Sequence, residues 1–203
     1  MRLSRLLSRS ALACALAFSF TACDSNDDED DDAVANVATG TISGDLSGSF
    51  SGNGYFGVVE EEGESEFDIV LFDGNLDAYT ENGEFIAFGR GNASRPGEGT
   101  YSIEDVFSDD DLPESDFIAL YKSPGAPEGG STRYILSESG EIRITSSSAD
   151  RLQGTYTFTG PSGSLQDIFT GGAGSATVRG SFVAFRDDDV PSGAGSFTVA
   201  VVD

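Results

Sequence analysis

Phe67-Asp68-Ile69-Val70-Leu71-Phe72-Asp73-Gly74-Asn75-Leu76-Asp77-Ala78-Tyr79-Thr80-Glu81-Asn82-Gly83-Glu84-Phe85-Ile86-Ala87-Phe88 is the stretch whose reading decides the fold. Phe67, Ile69 and Leu71 share one parity, and a period of two places them on one face of a half-buried strand. Asp73-Gly74-Asn75 and Asn82-Gly83 then punctuate the run. Asn-Gly between alternating segments is a strong short hairpin signal, because both central residues of the tight turn take positive φ. The stretch therefore reads as a meander of three strands: Phe67–Phe72, Leu76–Thr80 and Phe85–Phe88.

The pattern extends in both directions. Ile42, Leu46, Phe50, Phe56 and Val58 share a parity, as do Ile142 with Ile144, and Phe197 with Val199 and Val201. Ser139-Gly140 separates Tyr134–Leu136 from Glu141–Thr145 in the manner of another turn. About ten to twelve strands at this spacing predict an all-β domain, an antiparallel sandwich or barrel. Helical spacing is missing, and only Glu104 to Glu114 suits a short helix, although Pro113 and its Asp cluster also fit a loop. The tripeptide Gly-Ser/Thr-Phe/Tyr recurs at Gly48, Gly99, Gly154, Gly180 and Gly195. A bare backbone before an inward aromatic lets a strand bend or a ring lie across it, which favours a strand-entry device over a binding motif. The irregular spacing excludes a propeller or solenoid. With 15 Phe and 6 Tyr the chain holds enough aromatic volume to fill a core.

Upstream of this domain the chain changes character. Met1 to Arg9 carries Arg2, Arg5 and Arg9 without an acid, and Ala11 to Phe20 is apolar except for Ser19. That run is shorter than the about 20 residues a membrane-spanning helix needs, and fits the h-region of a secretory signal. Phe20-Thr21-Ala22-Cys23 follows and resembles the lipobox of bacterial lipoproteins, with small residues before an obligatory Cys. Phe20 stands where Leu is usual. Cys14, after Leu12 and Ala13, is the rival but would leave a very short h-region. An ordinary secretory signal cut near Ala22 is the plainer alternative. Membership of the lipoprotein class implies two or three acyl chains on Cys23, as palmitate or similar. One chain binds a bilayer only marginally, whereas two or more hold stably. The chain has only two cysteines, so the mature protein keeps Cys23 alone and forms no internal disulfide. The expected organisation is a signal peptide over 1–22, a lipidated Cys with an acidic tether over 23–36, and one β domain over 37–203.

The tether and the domain are both acidic. Asp24 to Asp32 holds seven carboxylates in nine residues, a block that repels itself and stays solvated. Without the signal, eight Arg and Lys face 35 Asp and Glu, a net charge of −27; without the tether acids it is still −20. Lys122 is the only Lys. Such a composition resembles that of proteins adapted to high salt, where self-repulsion is screened. It argues against nucleic-acid binding, which needs cations to replace counterions at phosphates. Acidic stretches after the lipid-bearing Cys resemble surface-export signals of some Gram-negative lipoproteins. An Asp directly after the Cys resembles an inner-membrane retention signal in others, and a plain spacer explains the composition equally well.

Within the domain, Gly140-Glu141-Ile142-Arg143-Ile144-Thr145, Leu152-Gln153-Gly154-Thr155-Tyr156-Thr157-Phe158 and Val178-Arg179-Gly180-Ser181-Phe182 are similar to β-rich bacterial lipoproteins of unknown function. The likeness covers about 50 residues; it implies a strand-rich fold and no activity.

Chemistry is bounded mostly by exclusion. There is no His, so neither a Ser-His-Asp triad nor a His-based metal site can be built, and acylation of Cys23 closes thiol catalysis. Carboxylate chemistry remains, for which a glycosidase needs two carboxyls about 5 to 9 Å apart. Asp73, Asn75, Asp77, Glu81 and Glu84 fall at positions 1, 3, 5, 9 and 12 of an EF-hand-like loop. Ala78 stands where that loop needs Gly, and the flanks read as strands, so the meander is the better account. Asp109-Asp110-Asp111 and Asp187-Asp188-Asp189 are better candidates for opportunistic surface cation binding, although charge runs are usually solvated loops. No metal, cofactor or catalytic residue is assigned. The sequence thus predicts a non-enzymatic, lipid-anchored domain of the cell envelope, at the outer membrane, for binding or envelope structure. The alternatives are a lipocalin-like carrier of a small apolar ligand and a carboxylate-dependent glycan hydrolase.

Overall fold

The alternation of β-formers and small residues closes into a barrel rather than a sandwich. The computed structural model describes residues 37–61, 64–73, 83–108, 113–124 and 132–187. Among them are ten strands: β1 (Ala38–Gly44), β2 (Gly48–Glu61), β3 (Glu64–Phe72), β4 (Phe85–Arg90), β5 (Gly99–Ile103), β6 (Ile118–Lys122), β7 (Tyr134–Leu136), β8 (Ser139–Ser147), β9 (Arg151–Gly163) and β10 (Gly174–Arg186). The one helix among the described residues, α1 (Leu165–Thr170), links the last two strands. The ring runs β1-β2-β3-β4-β6-β7-β9-β10 and returns to β1, with β8 and β5 as extra strands. β1 is wedged between β2 and β10, pairing antiparallel with both. Beyond its N-terminal end those two neighbours meet directly and in parallel, Ala184 opposite Gly54.

The wall has one jog. β7 and β8 follow each other along the same edge of β9, Ile135 opposite Ser162 and Ser139 opposite Thr159. The count slips by one residue between them, as a bulge does. The bulge needs bare backbone opposite it: a Cβ on Gly160 would strike the carbonyl of Leu136. β6 pairs with β7 and β5 with β8, so the strands on this side are doubled by the same jog.

The interior is filled. Phe50, Phe67, Phe88, Phe117, Phe158 and Phe182 are fully buried, with Ile69, Leu71, Ile86, Ile135, Ile142 and Ile144 among them. Phe88 packs 5.2 Å from Tyr156 and edge-on at 6.2 Å to Phe158, geometries that suit the ring quadrupole. A second apolar cluster lies on the opposite face of the same strands: Val70 and Phe72 of β3, Phe85 and Ala87 of β4, Leu120, Leu136, and Ile168 of α1. Strands β4 and β6 are consequently buried along their whole length.

β3 and β4 are direct neighbours: Phe72 faces Phe85, and the Asp73 N–H donates to the Glu84 carbonyl at 3.1 Å. Leu76–Thr80, expected as the middle strand of the meander, lies outside the described residues. Of Glu104 to Glu114, the described residues 104–108 form turns, and 109–112 lie outside the described residues. The described helix is α1, where Ser164 and Asp167 build a capping box and Gly171 closes it at φ 77°. The tripeptides also divide: Gly48 and Gly99 open strands, whereas Gly154 and Gly180 lie mid-strand. There the two copies pair reciprocally, Gly180 opposite Tyr156 and Gly154 opposite Phe182. A Cβ on Gly154 would sit 3.0 Å from the Phe182 ring, and one on Gly180 2.5 Å from the Tyr156 hydroxyl. Each aromatic lies over the other's glycine. The Tyr156 hydroxyl crosses to donate to the Thr39 carbonyl at 3.0 Å, tying β9 to β1. Val58, read as inward, is half exposed near the end of β2; Gly195-Ser196-Phe197 and Val199 with Val201 lie outside the described residues.

Candidate functional site: a groove on the outer wall

Three large apolar side chains near α1 are exposed: Phe107 (46%), Leu165 (41%) and Phe169 (49%). Their placement follows from local chemistry. Ser164 accepts the Asp167 N–H at 3.1 Å and Asp167 reaches back to the Ser164 N–H, which starts a helix of only six residues. Ile168 turns inward to the outer-wall cluster. Leu165 and Phe169, four apart on one helix face, turn outward.

Phe107 comes from the loop after β5, and Ser137 at the wall's jog holds that loop. Ser137 is fully buried and fully bonded. Its N–H donates to the Ala119 carbonyl at 2.9 Å, and its carbonyl accepts the Val106 N–H at 2.9 Å. Its hydroxyl donates to the Glu104 carbonyl at 2.6 Å and accepts the Ala119 N–H at 3.0 Å. Downstream, the Asp105 carboxylate accepts the Phe107 N–H at 2.9 Å, an Asx turn that aims the next side chain outward. Phe107 then meets Phe169 edge-on at 5.9 Å.

Beside Phe107 runs an open groove of about 370 Å³, lined by Phe107, Glu138, Pro161, Ile168, Gly171, Ala173, Gly174 and Ser175. That volume is at the small end of the range of ligand pockets. Among the described residues Glu138 is its one charged lining residue. Just beyond, Asp45 accepts the Ser175 N–H at 2.9 Å, with Asp105 and Asp167 in the turns on either side.

The most perturbed carboxyl is elsewhere. Asp68 on β3 is fully buried, and neither of its oxygens has a hydrogen-bond partner. Burial, reinforced by Glu66, pushes its pKa up to about 7. Its cross-strand neighbours are Gly57 and Gly89, which offer no side chain to bond it. Glu84 also titrates above the ordinary carboxylate range. Burial is the main cause and Asp73 adds to it, against the Tyr121 hydroxyl that donates to it at 2.7 Å.

Of the residues singled out in the sequence, Cys23 lies outside the described residues, as do Asn75, Asp77, Ala78, Glu81, the Asp109–Asp111 run, Asp188 and Asp189. Glu84 is committed to Tyr121, and the Asp187 N–H donates to the Phe56 carbonyl at 3.0 Å. Among the described residues no three acids converge as a metal site would need. The groove residues were missed. Ser164-Leu165-Gln166-Asp167 is a readable capping box, and Phe107 is an aromatic stranded in an acidic loop. No protein-family model, curated protein or solved structure matches the chain.

Proposed function

We propose that the protein is an exported lipoprotein, anchored at the outer membrane through acylated Cys23, whose barrel is a non-enzymatic scaffold that binds a partner on its outer surface. The observation that carries this reading is a contrast. Six phenylalanines close the barrel interior, while the uncovered aromatics Phe107 and Phe169 gather beside an external groove. Exposed apolar groups clustered at a groove mark interaction surfaces more often than scattered ones do. A carrier of a small apolar ligand is the second reading. The closed barrel suits it, but its interior rings would have to part to admit a ligand.

Intact-mass analysis of protein from the membrane fraction tests the anchor. The expected species begins at Cys23 and carries two or three acyl chains; a species beginning there without lipid would overturn the anchoring. Titration of the mature protein with a fluorescent fatty acid tests the scaffold reading. Little binding, unaffected by substituting Phe88, is expected. Tight binding that Phe88→Ala alters would establish the carrier instead.

A further inference from the structure

We infer that the groove beside α1 seats one large apolar side chain presented by a cationic peptide segment. This rests on the surface-binding reading above and adds the partner's chemistry. Enclosure comes first: the groove is small, about 370 Å³, open to solvent and floored by Pro161, Ile168 and Ala173, so it covers one inserted side chain of a longer partner and does not surround a whole ligand as small-molecule pockets do. Shape comes next. Phe107 lines the groove and Phe169 braces its ring edge-to-face, which holds the aromatic wall in place, and the low backbone at Gly171 and Gly174 leaves the other side open.

Charge decides the rest. Among the described residues the groove's only charged lining residue is the exposed Glu138. Unlike Asp45, Asp105 and Asp167, whose carboxylates accept backbone N–H groups, Glu138 has an uncommitted carboxylate. No cation lines the groove among the described residues, and the domain around it carries −20. A field of that sign draws cationic partners and repels acidic ones. A second copy would bring the same acid excess, so self-docking is disfavoured. A bilayer would meet the carboxylates flanking the rings.

The test uses the mature protein in detergent and fluorescence anisotropy of short labelled peptides: a central phenylalanine flanked by lysines, its serine-centred counterpart, and a glutamate-flanked counterpart. The lysine–phenylalanine peptide is expected to bind, and to weaken at least tenfold with the serine centre or in Phe169→Ser. Glu138→Lys, on an exposed turn, is expected to weaken it severalfold, and rising NaCl to weaken it further. A melting curve for each variant separates lost binding from lost fold. Binding that ignores the central residue and the groove variants would be charge attraction alone and would overturn the inference. So would a dimer in sedimentation, abolished by Phe169→Ser while the peptide stays unbound, and that outcome would leave the surface-binding reading standing. Silence of every probe would remove both.

Discussion

Asp68 shows what one residue costs when its neighbours offer nothing. Its carboxyl is buried between Gly57 and Gly89 with no partner, and a folded-state pKa of about 7 stands against an ordinary 3.8. The sign follows directly. Well below pH 3.8 the group is protonated folded or unfolded, and stability does not depend on it. As pH rises toward 7 the unfolded chain gives up the proton while the fold retains it, so stability falls; above 7 the whole penalty stands. A raised pKa of this size corresponds to a penalty on the order of 4 kcal/mol. Asp68→Asn should therefore melt well above the parent at pH 8, with the gap closing as pH falls to 4. Parallel melting curves at both pH values check this, and a gap independent of pH would refute it. Ser137 is the opposite case, a buried hydroxyl with every bond made. Ser137→Ala strands the Ala119 N–H and the Glu104 carbonyl, each worth about 1–3 kcal/mol when left unpaired. It should lower the melting temperature and loosen the 104–108 loop, read as faster amide exchange at Val106 and Phe107. A melting temperature equal to the parent's would show that water replaces the hydroxyl.

Among the elements, α1 is small and its cap carries most of its definition. Six residues cannot hold a helix alone, so the Ser164–Asp167 box and the burial of Ile168 decide whether it forms. Ser164→Ala should cost about 1 kcal/mol, a fall of roughly 2–4 °C for a chain of this size. Amide exchange should quicken over Leu165–Gly171 more than in β9, and unchanged exchange there would place the helix's stability elsewhere. The same elements show what could be read in advance. Strands with one face inside and one in water, such as β8, alternate cleanly and were legible from Ile142 and Ile144. β4 and β6 are covered on both faces, so their apolar runs gave no period. Turn chemistry at Asp73 and Asn82-Gly83 does not encode that Phe72 pairs with Phe85, which makes β3 and β4 direct neighbours. The reciprocal stacking of Tyr156 and Phe182 over each other's glycines depends on the register of β9 against β10, which no single tripeptide carries. The groove escaped notice for the same reason: Phe107 and Phe169 are 62 positions apart in the chain.

For the whole molecule, barrel closure and charge pull against each other. Eight strands hydrogen-bonded in a ring bring the domain's acids into one small volume, and a net charge of −20 on the domain repels itself there. Unfolding relaxes that repulsion by spreading the charges, so the fold is destabilised most when screening is weakest. The Debye length is about 10 Å at 0.1 M salt and about 3 Å at 1 M, the second being shorter than most spacings between surface carboxylates. Raising NaCl from 0.1 to 1 M should accordingly raise the melting temperature, by roughly 5 °C if the relief is about 1–2 kcal/mol. A rise by itself does not isolate screening, because some salts also strengthen apolar burial by exclusion from the protein surface. Sodium sulfate at equal ionic strength separates the two. Screening gives closely similar shifts in both salts, levelling off as the Debye length falls below the charge spacing. Exclusion gives a larger sulfate shift that keeps growing with concentration. A melting temperature that stays flat or falls across the NaCl range would mean that the acids are already neutralised or too dispersed to repel, and the high-salt reading of this composition would be withdrawn.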